Sequence, residues 1–270
     1  MKTINKTYQK KHELWLCILF ASFAINEETI KSRLYDFSQI AFRHMKWLGQ
    51  SILENGEDYN YDREKTLLKR ENNFAILEAL KEEVQAIQAF YPTTILGERM
   101  KTDDIYLLEY LTQTLRETKN DAKVTAFNMS RSWEDIDQTQ IDAMTLFLFD
   151  ESYKEYELIL IYAYMQARTK SLLHYDVYQD LIDESHFHLK SFGNMMAKLG
   201  ILALPRELHE MTYIVKDLDQ FIRDGIDEEI AAKEMCKELS ESITDEKLSK
   251  FFDFINYQEN YHIELMKKLL

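Results

Sequence analysis

Apolar residues recur along this chain at intervals of three and four, and no stretch shows the every-second-residue alternation of a strand. The segment 248–270 shows this most plainly: Leu248, Phe251, Phe252, Ile255, Leu265, Met266 and Leu269 share one helical face. Read the same way throughout, the periodicity predicts helices over 8–26, 29–55, 63–91, 102–119, 135–170, 174–199, 206–223, 227–242 and 245–270. Loops are expected at Glu54-Asn-Gly-Glu-Asp, at Tyr91-Pro-Thr-Thr, over 119–134, over 200–205 and at Asp224-Gly225. Ser132, three residues before Asp135, and Thr244-Asp245 both fit helix starts. The fold class is all-α.

The pattern repeats. At an offset of 144 residues, Glu13-Leu-x-Leu matches Glu157-Leu-x-Leu, and Asp36, His44, Lys46, Gly49 and Gly56 match Asp180, His188, Lys190, Gly193 and Gly200. The identities are few, but they are collinear and need no gap. They predict two tandem helical halves, 1–120 and 135–270, each made of two hairpins. Two hairpins that bury their apolar faces together make a four-helix bundle.

Composition supports a helical chain: only two prolines and six glycines occur in 270 residues, and charged residues interleave with apolar ones. The formal net charge of −14 comes without a Lys/Arg-rich stripe, which argues against nucleic acid as a partner. Cys17 and Cys236 fall inside apolar helical patterns, as buried thiols of a reducing compartment do. Lys2, Lys6, Lys10 and Lys11 precede the apolar run 14–25, an arrangement like a secretory signal. His12 and Glu13 at the edge of that run, and a similar apolar run in mid-chain at 157–164, favour a buried first helix instead. The run is too short to span a bilayer, so no membrane partner and a cytoplasmic location are expected.

Candidate chemistry lies on the apolar faces of the second half. Glu259 and His262 sit one turn apart in the buried stripe of the last helix, where both are costly unless paired. On 174–199 the inward face runs through Val177, Tyr178, Leu181, Ile182, Leu189, Phe192, Met195, Met196 and Leu199. His188 lies within it and Glu184 at its edge, while Asp183-x-x-His186 points mostly outward as a solvated pair. On 227–242 the stripe is Ala231, Ala232, Met235, Cys236, Leu239 and Ile243. Glu228 projects near its centre in the first turn, with Glu229 about a quarter turn away. The segment 157–165 is apolar on every side and bordered by Glu157, with Glu155 a close rival. Tyr162, Tyr164, Tyr178 and Tyr261 fall nearby. Glu157, Glu184, His188, Glu228, Glu259 and His262 thus converge from four helices, and carboxylates with imidazoles suit iron or manganese.

On Glu157, Glu184/His188, Glu228 and Glu259-x-x-His262, the second half resembles the ferritin-like superfamily of di-iron carboxylate proteins, closest to its rubrerythrin-like members. The resemblance implies a four-helix bundle holding two iron or manganese ions that react with dioxygen or peroxide. It implies bridging carboxylates at Glu259 and Glu184, terminal imidazoles at His262 and His188, and single-helix ligands at Glu157 and Glu228. One departure is clear. The family spacing is Glu-x-x-His, and here Glu184-x-x-x-His188 places Ser185 where the carboxylate belongs: either the helix is locally irregular, or Asp183-x-x-His186 is the true pair, or the site is altered or lost. No rubredoxin-like cysteine pairs are present. In the first half Ala41 stands where the family would have a glutamate, the hairpin 63–119 lacks histidine, and Glu109-x-x-Thr112 is at most a relic. That half is expected to bind no di-metal centre, with His44 a satisfied core histidine.

Three functions follow from these residues. One is a di-iron or dimanganese oxidoreductase or ferroxidase, possible as a homo-oligomer. Another is a non-enzymatic helical protein whose buried Glu and His pair among themselves. The third is an all-helical oxygenase built like haem oxygenase, on Asp180, Glu184 and His188 at every fourth residue.

Overall fold

A computed structural model describes residues 4–64, 70–119, 123–202 and 205–270. Nine α-helices occur among them: α1 (Ile4–Ala24), α2 (Glu28–Glu54), α3 (Asn73–Ile87), α4 (Ile95–Glu117), α5 (Gln138–Gln166), α6 (Leu172–Lys198), α7 (Glu210–Tyr213), α8 (Leu218–Ser242) and α9 (Glu246–Lys267). Short 3-10 turns follow α3 and precede α5. No sheet forms among the described residues; a lone bridge joins Asn72 and Lys123. None of the helices is long and apolar enough to cross a membrane.

The chain divides into two units, residues 1–129 with 200–208, and 130–199 with 209–270. Unit 1 is built on the hairpins α1–α2 and α3–α4. Unit 2 is built on α5–α6 and α8–α9, which face each other so that α5 meets α8 and α6 meets α9. Its core includes Met144, Leu148, Ile159, Leu160, Phe192, Phe252 and Ile255, all buried. Edge-to-face contacts of Phe147 with Phe192 and Phe252, each at 5.7 Å between centroids, join three helices.

Helix ends follow local chemistry. Asn72, Thr94, Asp137, Ser171, Asp217 and Asp245 each accept a backbone N–H of the first turn. Gly56 and Gly200 follow the ends of α2 and α6 with φ of 76° and 80°, where a side chain would be strained.

Several expected boundaries are corrected. Of the predicted helix 63–91, residues 65–69 lie outside the described residues; Arg63 and Glu64 are not helical, the Glu64 N–H being held by the Glu13 carboxylate, and α3 begins at Asn73 after the extended cap Asn72. The helix expected at 102 starts at Ile95, since Thr94 caps it. Asp137, not Ser132, opens α5. Asp224-Gly225 is no loop: α8 runs unbroken through it, and 206–223 contributes only α7 and the first turns of α8. Gly225 there admits Met266 of α9, whose Cε would lie 3.3 Å from a β-carbon. Cys17, expected inside, is half-buried.

Gly97 marks the tightest approach. A β-carbon at this position would stand 1.8 Å from the Pro92 carbonyl oxygen, so the turn into α4 requires glycine. Gly97→Ala is expected to destabilise the chain by about 1–3 kcal/mol, as overpacking against rigid backbone does. Urea denaturation reads this directly; an unchanged midpoint would show that the turn relaxes freely.

Candidate metal centre

Unit 2 gathers five carboxyl groups and two imidazoles between its hairpins. Helix α5 supplies Glu151 and Glu155, α6 supplies Glu184 and His188, α8 supplies Glu229, and α9 supplies Glu259 and His262. Of these only Glu184 is appreciably exposed, its side chain at 28%. The rest are buried.

His262 stands at the centre. Its Nδ1 lies 2.9 Å from a Glu259 oxygen and 3.8 Å from a Glu229 oxygen, while Nε2 faces Glu184 Oε2 at 3.9 Å. The His188 and His262 rings are 5.1 Å apart. His188 Nδ1–H donates to Glu155 Oε1 at 2.8 Å, which leaves Nε2 as its outward nitrogen, 3.4 Å from Gln258 Oε1. The Gln258 amide donates to Glu184 Oε2 at 2.8 Å. A carboxylate behind an imidazole is the arrangement that orients a metal-binding histidine.

Two trios could each hold an ion: Glu184, His188 and His262, and Glu229, Glu259 and His262, with ligand atoms within 4.8 Å of one another. The residues fit a cation by a second criterion. Glu155 Oε2 and His262 Nε2 are buried without a hydrogen-bond partner, which is expensive for polar atoms removed from water. Hard oxygens mixed with imidazole nitrogens suit a divalent first-row metal.

The electrostatics carry the same strain. Burial, with neighbouring carboxylates behind it, pushes the Glu151 carboxyl up to about 8. Burial likewise raises Glu259, and the adjoining Glu229 adds to it. Burial also opposes ionisation of Glu229, but the polar contacts of His262 and Glu259, with the Lys154 charge behind them, outweigh it and lower its pKa. Burial alone would depress His262; Glu184, Glu229 and Glu259 overcome that and lift it to about 12. Without a metal, the imidazolium is a principal counter-charge of the cluster, assisted by Lys154, whose pKa several carboxylates raise against burial.

Of the six residues expected from sequence, the structure brings Glu184, His188, Glu259 and His262 together. Glu157 and Glu228 belong to neither trio. Glu157 is half-buried about 200° around α5 from Glu155. Glu228 is 63% exposed and lies 3.6 Å from Lys154. Ala231 and Met235, counted in the inward stripe, are exposed, and this rotates the true face of α8 toward Glu229. Asp183 is exposed as expected, but His186 is buried, its Nδ1 2.8 Å from the Ile182 carbonyl. Gly193 and Ala197, two and three turns further along the same side of α6, are buried too, and such small residues hide how wide its packed arc is. Asp180 is exposed and in neither trio. Tyr162 is buried, with no partner for its hydroxyl, and stacks at 6.2 Å on Tyr178; Tyr261 is 49% exposed.

Among the described residues, clusters able to hold a metal lie in unit 2 alone. The offset of 144 that carries the bounds of α2 onto those of α6 pairs His44 with His188 and Lys11 with Glu155. The Lys11 ammonium, fully buried, donates to both Asp104 oxygens at 2.8 and 2.9 Å and to the Tyr91 hydroxyl at 2.6 Å. Tyr91 in turn donates to Asp104. His44 Nε2 meets Asp103 at 3.0 Å, and burial, then the Lys11 charge, hold its pKa down at about 4. Glu109 is exposed and the Thr112 hydroxyl bonds back to the Leu108 carbonyl, so neither offers a ligand. Unit 1 therefore carries its cation covalently.

No protein-family model, curated protein or solved structure matches the chain.

Lys11→Met should cost about 3–5 kcal/mol, because it strands the Asp104 carboxylate in the interior. Adding Asp104→Leu should recover most of that loss in chemical denaturation. A single variant within about 1 kcal/mol of the parent would contradict the buried pair.

A second expectation concerns pH. The folded chain keeps the Glu151 proton to about pH 8, whereas an unfolded glutamate loses it near 4.5. Glu259 shifts the same way, and His262 holds its proton to about 12 against 6.5 unfolded. Through these groups the folded state binds more protons above pH 4.5, and stability falls as pH rises. Glu229, shifted downward, has the opposite sign below 4.5, and His12 and His44, held down at about 3 and 4, oppose the trend up to about 6.5. With chelator present, the melting temperature should drop between about pH 6.5 and 8; excess Mn(II) should flatten or reverse the trend, since ions displace these protons. A rise over that range in chelator would refute this.

Proposed function

We propose that unit 2 is a metal-binding helical bundle of the ferritin-like, di-metal carboxylate kind, and that it is an oxidoreductase acting on dioxygen or peroxide with iron or manganese. The observation that carries the reading is the His262 ring, buried between the carboxylates of Glu184, Glu229 and Glu259, with its Nε2 left without a hydrogen-bond partner. When bound, redox-active ions supply Lewis acidity and electrons for activating an oxygen species. The chain's own part is positional. Glu155 fixes the tautomer and tilt of His188. Phe192, itself buried, stacks on the His188 ring at 5.6 Å and covers it on that side. Glu184, partly exposed, gives the edge by which an ion or a small oxidant enters. The offset between α2 and α6 supports reading the two units as products of a duplication in which the metal function stayed in one.

A second reading, a non-enzymatic bundle with an altered site, is favoured by one observation. Gln258 already engages both Glu184 and His188, so the outer trio has a protein partner across it.

Chelator-stripped protein loaded anaerobically with Fe(II) or Mn(II) separates the two. The metal reading predicts retained metal by elemental analysis and stabilisation of about 2.7 kcal/mol at an ion concentration a hundred times its Kd. Glu259→Ala should abolish that metal-dependent gain. Protein that retains no transition metal and melts identically with and without ions would support the non-enzymatic reading.

A further inference from the structure

Both trios contain one residue in common, and it is an imidazole. No carboxylate belongs to the two at once. The ring nitrogens of His262 address different trios: Nδ1 turns to Glu259 and Glu229, and Nε2 turns to Glu184. The lone pairs of an imidazole diverge in the ring plane, so a single ion cannot bind both nitrogens. Two trios joined through this ring are two ions on opposite sides of it. The site is built for the purpose, since the His262 side chain is 5% exposed and its Nε2 has no hydrogen-bond partner.

We propose that His262 bridges two divalent metal ions as an imidazolate, one ion on Nδ1 with Glu229 and Glu259, the other on Nε2 with Glu184 and His188. This rests on the metal reading above. Both ring protons leave to solvent as the ions bind, and no change of oxidation state is involved. With metal–nitrogen bonds of about 2 Å at each end, the ions stand roughly 6 Å apart. Carboxylate-bridged pairs are closer, at about 3.5–4 Å.

The two positions also differ in chemistry. The inner trio offers two carboxylates and one nitrogen and sits wholly buried, which suits Mn(II) or Fe(II). The outer trio offers two imidazoles and one carboxylate, with Glu184 partly exposed, which suits Zn(II) or Co(II) and permits faster exchange. Gln258 must release His188 for that ion to enter, so it acts as a positioning residue for the outer position.

The test uses the full chain, stripped with chelator and titrated with Co(II). The wild type should bind two ions. Glu229→Gln should keep only the outer ion and Glu184→Gln only the inner one, while His262→Gln should weaken both at least about tenfold. Far-UV circular dichroism checks that each variant folds. X-ray absorption on the wild type needs no variant: imidazole scattering without a short metal–metal vector agrees with the bridge. A vector at about 3.5–4 Å overturns the bridge and leaves metal binding standing. Loss of only one ion in His262→Gln likewise overturns it. Absence of any bound Co(II) in the wild type defeats the metal reading itself.

Discussion

Charge removed from water must meet charge of the opposite sign, and the arrangement of both units depends on that constraint. Each unit buries acidic groups between two helical hairpins, where burial raises their pKa or forces a partner on them. Unit 1 answers with an ammonium on its own chain: Lys11 is enclosed by Asp104 and Tyr91, and burial, seconded by that positive charge, keeps the neighbouring His44 neutral. Unit 2 has a glutamate at the offset-matched position and adds four more carboxyls around two imidazoles. A protonated His262 and the nearby Lys154 offset part of this charge, and Glu155 Oε2 and the Nε2 of His262 are left buried without a hydrogen-bond partner.

The scaffold explains why those groups meet. Helices α5 and α6 pack along their lengths, as do α8 and α9, and the two hairpins close on each other with aromatic contacts at one end of the cluster. Residues three or four apart on α6 and α9 then share a face, so Glu184 with His188 and Glu259 with His262 project into the same gap. Glu155 and Gln258 hold the imidazole of His188 between them, and Glu155 alone orients the ring once Gln258 releases it.

Much of this was legible in the sequence, and the failures have physical causes. Polar residues inside a strongly amphipathic stripe stand out, so Glu259, His262, Glu184 and His188 were found from spacing. Helix α5 is apolar on nearly every side, so periodicity could not orient it, and Glu157 was preferred to Glu155. On α8 the exposed Ala231 and Met235 biased the stripe toward Glu228, and Gly225 read as a break where it admits Met266. His186 was misplaced because Gly193 and Ala197, buried on the same side of α6, are too small to mark a packed face. The role of Lys11 left no local signal: its partners Tyr91 and Asp104 lie far along the chain and meet it only through the packing of unit 1.

The central claim is that a cation, and not protein alone, neutralises the acidic interior of unit 2. Anomalous diffraction from crystals grown with Mn(II) tests it most directly. The account predicts an anomalous peak between Glu229, Glu259 and the Nδ1 of His262. A well-ordered interior with no peak, and with both His262 nitrogens donating hydrogen bonds to carboxylates, would contradict it.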